Sequence, residues 1–389
     1  MNSISQKIIE FTKELIIIPS QNGIDSENAI AKAVFDKLVS FGFKPEIIGA
    51  ENHPSVICFI KKDNSDKTIW LESCLDTVPA GDLSKWEYQP FEGKIVGNKM
   101  YGRGTNDSKV AISIFCYLAK ELAEDKNFKS SIFLGFDANE QSGEYSGIRD
   151  IIKIKKPKAD VCILGYQGIN EISIGMRGWL RLKITAKGES AHTGSKSKRG
   201  NNAIHQMAEI ITTLRGLNLE GKKEPFFEYG SNFNVSLIKG GVSINIVPDE
   251  CEISIDIRFL PSQNKQEIMN KIDETLKELK NKNPAVNYEI EFLRYEPPFL
   301  TNPNDKFVKL LQKIAQDKLK TKIPLVTSGA GSVGSVITEL GIPIINSFGC
   351  ESDNGHAPNE WVNIESVPKV FEIYKESLKE FAAKEQNQL

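Results

Sequence analysis

The chain lacks the features that mark secreted, membrane-bound and nucleic-acid-binding proteins. No apolar run approaches the ~18 residues that would cross a bilayer, and the first residues lack the charged-then-apolar order of a secretory signal. The six cysteines are scattered without a disulfide framework, as is typical of reduced, buried thiols. With 49 basic and 51 acidic residues the net charge is −2. The chain therefore lacks the excess of positive charge that would attract a polyanion such as a nucleic acid. We therefore expect a cytoplasmic protein without nucleic-acid or membrane partners.

The chain does contain enough apolar sequence for more than one core. Its 389 residues are 40% hydrophobic, which suffices for one large core and a smaller second one. In the first part of the chain, strand-like apolar runs such as residues 130–136 follow helical patterns such as residues 110–123. This alternation predicts an α/β fold with a doubly wound, mainly parallel sheet.

The periodicity changes after about residue 174. Stretches that alternate apolar and polar residues then appear, with two helical stretches among them, in the order β-α-β-β-α-β. That order is the ferredoxin-like (α+β) plan. The first pattern returns toward the end of the chain, so we expect an inserted lid in a discontinuous catalytic domain. The predicted boundaries are 1–174 and 294–389 for the catalytic domain and 175–293 for the lid.

One stretch, residues 71–79 (Leu-Glu-Ser-Cys-Leu-Asp-Thr-Val-Pro), closes a predicted buried strand at a proline. Cys74 and Asp76 lie two residues apart in it, so both side chains would point to one face of an extended segment. Ligands of open α/β sheets bind at such strand ends. Taken alone, a cysteine and an aspartate at this place are more often core packing and a turn cap.

Three later segments of the sequence, taken together with residues 71–79, favour a functional interpretation. They read Tyr-Gly-Arg-Gly-Thr-Asn-Asp107, Phe-Asp-Ala-Asn-Glu140-Gln141 and Gly-His356-Ala-Pro-Asn-Glu360. In this order the segments resemble a family of dinuclear zinc amidohydrolases, over nearly the whole chain. The family includes aminoacylase, acetylornithine deacetylase, succinyl-diaminopimelate desuccinylase and carboxypeptidase G.

The resemblance implies a role for each matching residue. Asp107 matches the aspartate that bridges two cations, and His356 matches a terminal histidine ligand. Glu140 matches the general base that takes a proton from water. Asp76 matches the aspartate that orients a metal ligand without binding the metal itself.

Three ligand positions depart from the family. Cys74 stands where a histidine is expected, Gln141 where a glutamate is expected, and Tyr166 where an acidic residue is expected. Asp107 and a thiolate at Cys74 would balance the charge of one divalent ion and not of two. We therefore predict one zinc ion held by Cys74, Asp107 and His356 with Gln141 beside it. Two ions, another divalent metal and no metal remain open alternatives.

The lid and one late loop supply further candidates by resemblance. His192, in Gly-Glu-Ser-Ala-His-Thr-Gly, matches a histidine that reaches the active site, often of the neighbouring subunit, and stabilises an oxyanion. The guanidinium of Arg258 has the fork geometry that grips a carboxylate, although a salt bridge to Asp256 is an equally good interpretation. The residues expected to bind substrate are Arg258, Asn245, Ser328, Gly329 and Gly331. In the family the lid also dimerises, which predicts a homodimer.

Together these residues predict a metallo-amidohydrolase or deacylase, or a small-peptide peptidase. Its substrate would be an N-acyl amino acid or a small peptide, with Glu140, Asp76 and His192 as the catalytic residues. The alternative is a non-hydrolysing relative that binds a ligand or acts as a scaffold because its dinuclear metal site is degenerate.

Overall fold

The computed structural model describes residues 3–63, 65–219 and 223–383. These residues form two compact units, one from Met1–Met176 with Leu300–Leu389 and one from Arg177–Phe299. The helices are α1 Ser3–Ile17, α2 Asn28–Ser40, α3 Lys109–Glu124, α4 Ser146–Lys155, α5 Ala203–Arg215, α6 Lys265–Lys282, α7 Lys306–Leu319, α8 Gly334–Ile337 and α9 Val367–Ala382. The strands are β1 Glu46–Ala50, β2 His53–Ile60, β3 Thr68–Cys74, β4 Lys94–Val96, β5 Lys99–Tyr101, β6 Ser131–Asp137, β7 Val161–Leu164, β8 Ile172–Met176, β9 Gly178–Lys187, β10 Asn232–Gly240, β11 Glu250–Phe259, β12 Tyr288–Glu296, β13 Phe299–Leu300, β14 Leu325–Ser328, β15 Ile344–Ile345, β16 Ser352–Asp353 and β17 Trp361–Asn363.

The first unit is built on a six-stranded sheet in the order β1-β2-β6-β3-β7-β15. The pairs β6–β3, β3–β7 and β7–β15 are parallel, whereas β1–β2 and β2–β6 are antiparallel. The central strands are buried along their whole length, as expected for strands covered on both faces. The predicted α/β class is therefore confirmed, with an antiparallel edge on the mainly parallel sheet.

Helices on the sheet complete the core of this unit. The α3 helix is buried almost throughout, because it packs against α1 on one side and against the sheet and α9 elsewhere. Lys109, the first residue of α3, is fully buried. Its amino group donates hydrogen bonds to the carbonyl oxygens of Leu15 and Ile18, at 3.0 and 2.7 Å. Burial lowers the pKa of this lysine to about 7.

None of the helices described is long and apolar enough to span a bilayer.

The second unit has the predicted ferredoxin-like plan. Its antiparallel sheet runs in the order β10-β11-β9-β12, and the amphipathic helices α5 and α6 bury their apolar residues in a core with β9 and β11. Strand β11 alternates buried and half-exposed residues along its length, because one face meets the helices and the other does not. Strand β10 lies at an edge of this sheet.

The structure also contains short strands that the sequence did not reveal. Strand β8 pairs in parallel with β14, more than a hundred residues later in the chain. Neither strand exceeds five residues, which is too short for alternation to stand out against turn and helix patterns. Strand β15 is shorter still, with two residues that pair in parallel with β7.

The close packing of α4 on the sheet gives a first prediction. A methyl group on Gly147 would lie 2.4 Å from the carbonyl oxygen of Ala138 and 2.5 Å from its nitrogen. Both are backbone atoms, so a side-chain rotation cannot relieve the clash. We expect Gly147→Ala to lower the free energy of unfolding by about 1–3 kcal/mol, measured by urea denaturation. Gly230→Ala is the matched control, since nothing lies within 4 Å of the added carbon. Equal stabilities of the two variants would contradict the packing argument.

Candidate active site

Three parallel strands bring the candidate residues of the first unit together. Strands β3, β6 and β7 run in the same direction side by side, so their carboxyl ends share one edge of the sheet. Asp76, Glu140 and Tyr166 follow these three strands within three residues of their ends. Residues far apart in sequence thus meet because the strands that precede them are neighbours.

The carboxylate of Asp76 organises the turn after β6. It accepts hydrogen bonds from the backbone N–H groups of Glu140 and Gln141, both at 2.9 Å, and from Nδ2 of Asn22 at 3.1 Å. Burial raises the pKa of Asp76 to about 6, and the two backbone hydrogen bonds oppose that rise. The Asp76 side chain therefore fixes the backbone positions of Glu140 and Gln141.

A buried ion pair holds the loop that carries Asp107. Glu360 and Arg103 are both almost fully buried, with Nη1 of Arg103 2.5 Å from Oε2 of Glu360. The other oxygen, Oε1, accepts the backbone N–H groups of Gly104, Asn106 and Asp107 at 3.0, 2.7 and 3.2 Å. No role was predicted for Glu360, although it ends the same sequence segment as His356. An acidic residue beside an apolar run was the only signal.

The other predicted ligands all lie close to the carboxylate of Asp107. Its Oδ2 lies 2.9 Å from Nε2 of His356 and accepts a hydrogen bond from Nε2 of Gln141 at 3.1 Å. The thiol of Cys74 is 3.8 Å from Oδ1. The hydrogen bond to Asp107 raises the pKa of the half-exposed His356 imidazole. Gln141 turns its amide nitrogen toward Asp107, so the atom it presents there is a donor and not a metal ligand.

Cys74 behaves as a buried thiol. Its side chain is 2% exposed, and its sulfur lies 3.4 Å from Oγ of Ser108. Burial raises the pKa of this thiol well above its usual range, and the neighbouring Asp107 carboxylate adds to the rise. Without a cation Cys74 is therefore protonated at neutral pH, since the thiolate is the disfavoured form here.

Glu140 is buried at the same edge and is held by Tyr166. The phenol hydroxyl donates a hydrogen bond to Oε1 of Glu140, with an O–O distance of 2.7 Å. Burial raises the pKa of Glu140 well above its usual range and the Asp107 charge raises it further, whereas the Tyr166 hydrogen bond lowers it. Tyr166 was singled out in the sequence only as a missing ligand, so this contact was not foreseen.

These side chains line a cavity of about 360 Å³ within the first unit. Asp107, Glu140, Gln141, Tyr166 and His356 form part of its wall. The predicted substrate-binding residues Ser328 and Gly331 also line this cavity. Helix α8, which follows the loop of Ser328 and Gly331, has a single turn. The N–H group of its first residue, Gly334, donates a hydrogen bond to Oγ of Ser332 at 3.2 Å. The loop therefore offers hydroxyl and peptide groups, not a long helix end.

The remaining predicted residues lie in the second unit. His192 sits in an exposed loop, where its Nδ1 accepts the N–H of Gly194 at 3.0 Å. Asn245 is exposed and accepts from Oγ of Ser243 at 2.7 Å. Nε of Arg258 lies 2.7 Å from Oδ1 of Asp256, so the salt bridge weighed against substrate binding is formed.

The donor atoms present fit one divalent cation better than two. Asp107 and His356 place a carboxylate and an imidazole side by side, and the Cys74 thiol is their neighbour. Asp107 is the one carboxylate among the predicted ligands. Within the described ranges, no three His, Cys, Asp or Glu side chains are already arranged around a common metal position. Asp107 and His356 thus lie side by side, and no third such side chain completes a metal-binding group with them among the described residues.

Comparison with known proteins decides the family. The model of peptidase family M20/M25/M40 matches residues 71–380, which is most of the chain and contains every predicted metal ligand. The chain belongs to this peptidase family. It is a metal-dependent hydrolase of the amidohydrolase and peptidase type, and the alternative of a non-hydrolysing binding protein is not favoured.

Individual M20-family relatives are similar over their whole length. The succinyl-diaminopimelate desuccinylase of Pelagibacter ubique is 27% identical over 386 residues, covering 96% of this chain and 98% of the relative. An M20 metallo-carboxypeptidase from Sulfolobus solfataricus superposes with a TM-score of 0.80 at 22% identity, covering 98% and 100% of the two chains. A tripeptidase from Staphylococcus aureus has a TM-score of 0.79 at 22% identity, covering 98% and 99%. The two structures share the fold of this chain.

The buried pair beneath the site gives a second prediction. Glu360→Gln keeps the shape of the side chain but leaves the Arg103 charge buried without a counter-ion. We expect a loss of about 3–5 kcal/mol in the free energy of unfolding, measured by urea denaturation. In the control Lys32→Ala, an exposed pair with Asp36 is broken, and the loss should stay within about 0.5 kcal/mol. A loss from Glu360→Gln as small as the control's would show that the pair does not hold the loop.

Proposed function

We propose that this M20-family enzyme cleaves the amide bond of an N-acyl amino acid or a small peptide, with Glu140 as its general base. The observation that carries the proposal is the place of Glu140 in the cavity. Its carboxylate is buried beside Asp107 and His356, and its backbone is held by Asp76. The relatives named a desuccinylase, a metallo-carboxypeptidase and a tripeptidase support this substrate class.

The chemistry assigned to Glu140 follows from its surroundings. A general base works best when its pKa lies near the working pH, and burial together with the Asp107 charge moves the pKa of Glu140 upward from that of a free carboxylate. Glu140 would take a proton from the attacking water and return it to the leaving amine. Asp76 contributes by fixing the backbone from which the Glu140 side chain extends.

Asp107 and His356 would hold the divalent cation, with Cys74 as the third ligand, and we propose a single zinc ion. When bound, the ion would supply Lewis acidity toward a substrate carbonyl and toward water. A nearby cation favours the thiolate form of Cys74, which would offset the burial that keeps the thiol protonated. We assign Gln141 the supporting role of fixing the Asp107 carboxylate through its amide nitrogen.

The substrate carboxylate would be bound by neutral and cationic groups. Ser328, Gly329 and Gly331 belong to the loop on the cavity wall and offer hydroxyl and peptide N–H groups. Arg258, Asn245 and His192 are the candidates from the second unit. For Arg258 this role requires exchanging part of its contact with Asp256 for the substrate. We assign His192 to the developing oxyanion.

We further propose that the protein is a cytoplasmic homodimer that pairs through the edge strand β10. An edge strand presents unpaired backbone groups to a second strand. Leu237 and Ile238 on this strand are 68% and 62% exposed, and Val242 and Ile244 in the following loop are 86% and 99% exposed. Several large apolar residues exposed along one edge are typical of a surface that another chain covers. Six free, buried cysteines support a reducing location.

Exchange of the base tests the function. We expect Glu140→Gln to lower kcat for N-acyl amino acids or dipeptides by about 10²- to 10⁴-fold, because the amide cannot accept a proton. Elemental analysis should still find about one divalent ion per chain, since Glu140 is not a proposed ligand. The control Glu144→Gln changes an exposed carboxylate four residues away and should keep full activity. Full activity of Glu140→Gln would refute the general-base role.

A charge on the edge strand tests the dimer. We expect light scattering to give twice the 43.4 kDa chain mass for the unaltered protein and a single chain mass for Ile238→Lys, since a buried unpaired charge is costly. The control Ile154→Lys places the same charge at a residue that is 52% exposed in the first unit. An unaltered protein that runs as a monomer would disprove the assembly.

A further inference from the structure

Tyr166 lies in contact with the proposed base, and the mechanism above leaves it unused. Its hydroxyl donates to Oε1 of Glu140 at 2.7 Å, and its ring lines the cavity. We propose that Tyr166 is a positioning residue that engages one oxygen of Glu140 and leaves the other to accept the proton from water. The inference rests on the proposed role of Glu140.

The backbone on both sides of Tyr166 is held tightly. Before it, Gly165 donates its N–H to the carbonyl oxygen of Glu72 at 2.7 Å. A methyl group on Gly165 would come within 2.6 Å of Oγ of Ser73 and 2.7 Å of Cβ of Ala111, so strand β7 ends in close contact with its neighbours. The ring of Tyr166 therefore extends from a backbone that is closely packed against Ser73 and Ala111.

After Tyr166, the Gln167 side chain bridges two backbone segments. Its Oε1 accepts the N–H of Cys350 at 2.7 Å, and its Nε2 donates to the carbonyl oxygen of Gly165 at 3.2 Å. The tyrosine therefore sits between two anchored residues. A side chain on a rigid backbone can hold a catalytic group within a narrow range of positions.

The chemistry of a phenol suits this contact. Burial raises the pKa of Tyr166 well above its usual range, and the Glu140 charge raises it further, so the hydroxyl keeps its proton and remains a donor. Nearby carboxylates do not offer this, because Asp107 and Asp76 repel a negative charge on Glu140. A carboxylate in the place of Tyr166 would add a further repulsion, whereas the phenol supplies a hydrogen bond.

Removal of the hydroxyl tests the role. We expect Tyr166→Phe to lower kcat by about 10- to 100-fold, the range that a hydrogen bond to a charged group accounts for. KM and the metal content per chain should stay unchanged, because the ring and the proposed ligands remain. Tyr374→Phe is the matched control. It also removes a buried tyrosine hydroxyl, one that donates to the carbonyl oxygen of Phe348, and it should lower the melting temperature without changing kcat.

A second measurement needs no activity. In metal-free protein, the urea midpoint of unfolding is compared for Tyr166→Phe, Glu140→Ala and the double variant. If the two side chains interact, the shift that Tyr166→Phe causes alone should shrink by at least half in the Glu140→Ala background. Fully additive shifts would overturn the inference, as would unchanged kcat in Tyr166→Phe.

The two proposals fail in different ways. If Glu140→Gln abolishes activity while Tyr166→Phe has normal kcat and additive stability, Glu140 is the base but Tyr166 does not position it. If Glu140→Gln is fully active, the proposed function fails first. A changed KM or metal content in Tyr166→Phe, with kcat preserved, would assign the tyrosine to binding and would also overturn the positioning role.

Discussion

The site depends on the burial of one carboxylate, that of Glu360. One of its oxygens pairs with Arg103, and the other accepts three loop N–H groups, those of Gly104, Asn106 and Asp107. Backbone N–H groups that are buried must find acceptors, and here a single acceptor satisfies them and fixes the loop. His356 and Gln141 then meet Asp107 at hydrogen-bonding distance because the loop cannot turn away. The loop that carries Asp107 is thus held by an ion pair that has no part in the proposed reaction.

Around this anchor, several acidic groups are crowded together. Asp76, Asp107 and Glu140 face one edge, and the buried carboxyl groups of Glu72 and Asp137 lie on the strands that lead to it. Burial raises the pKa values of both strand carboxyls, that of Glu72 to about 8. Such crowding favours a cation at the edge, and it also explains the neutral donors. Gln141 and Tyr166 each donate a hydrogen bond to a carboxylate where another acid would add repulsion.

Much of the architecture could be predicted from local patterns. Helix α3 and strand β6 are long and uniform enough for periodicity to identify them, and the β-α-β-β-α-β order of the second unit identified its plan. The motifs around Asp107, Glu140 and His356 likewise pointed to one site, because their order along the chain is informative. Short strands such as β8 and β14 were missed, since a few residues carry no clear period and their pairing partners are distant in sequence.

The sequence alone determined which residue types are available: one predicted ligand carboxylate at Asp107, a thiol at Cys74 and neutral side chains at Gln141 and Tyr166. It also determined the two kinds of folding unit, because hydrophobic periodicity is local. Only the tertiary structure decided what those side chains do. Gln141 presents its nitrogen to Asp107, Asp76 holds a backbone turn, and Tyr166 bonds Glu140. These contacts join residues from separate strands and loops, and their direction depends on packing that no single stretch of sequence encodes.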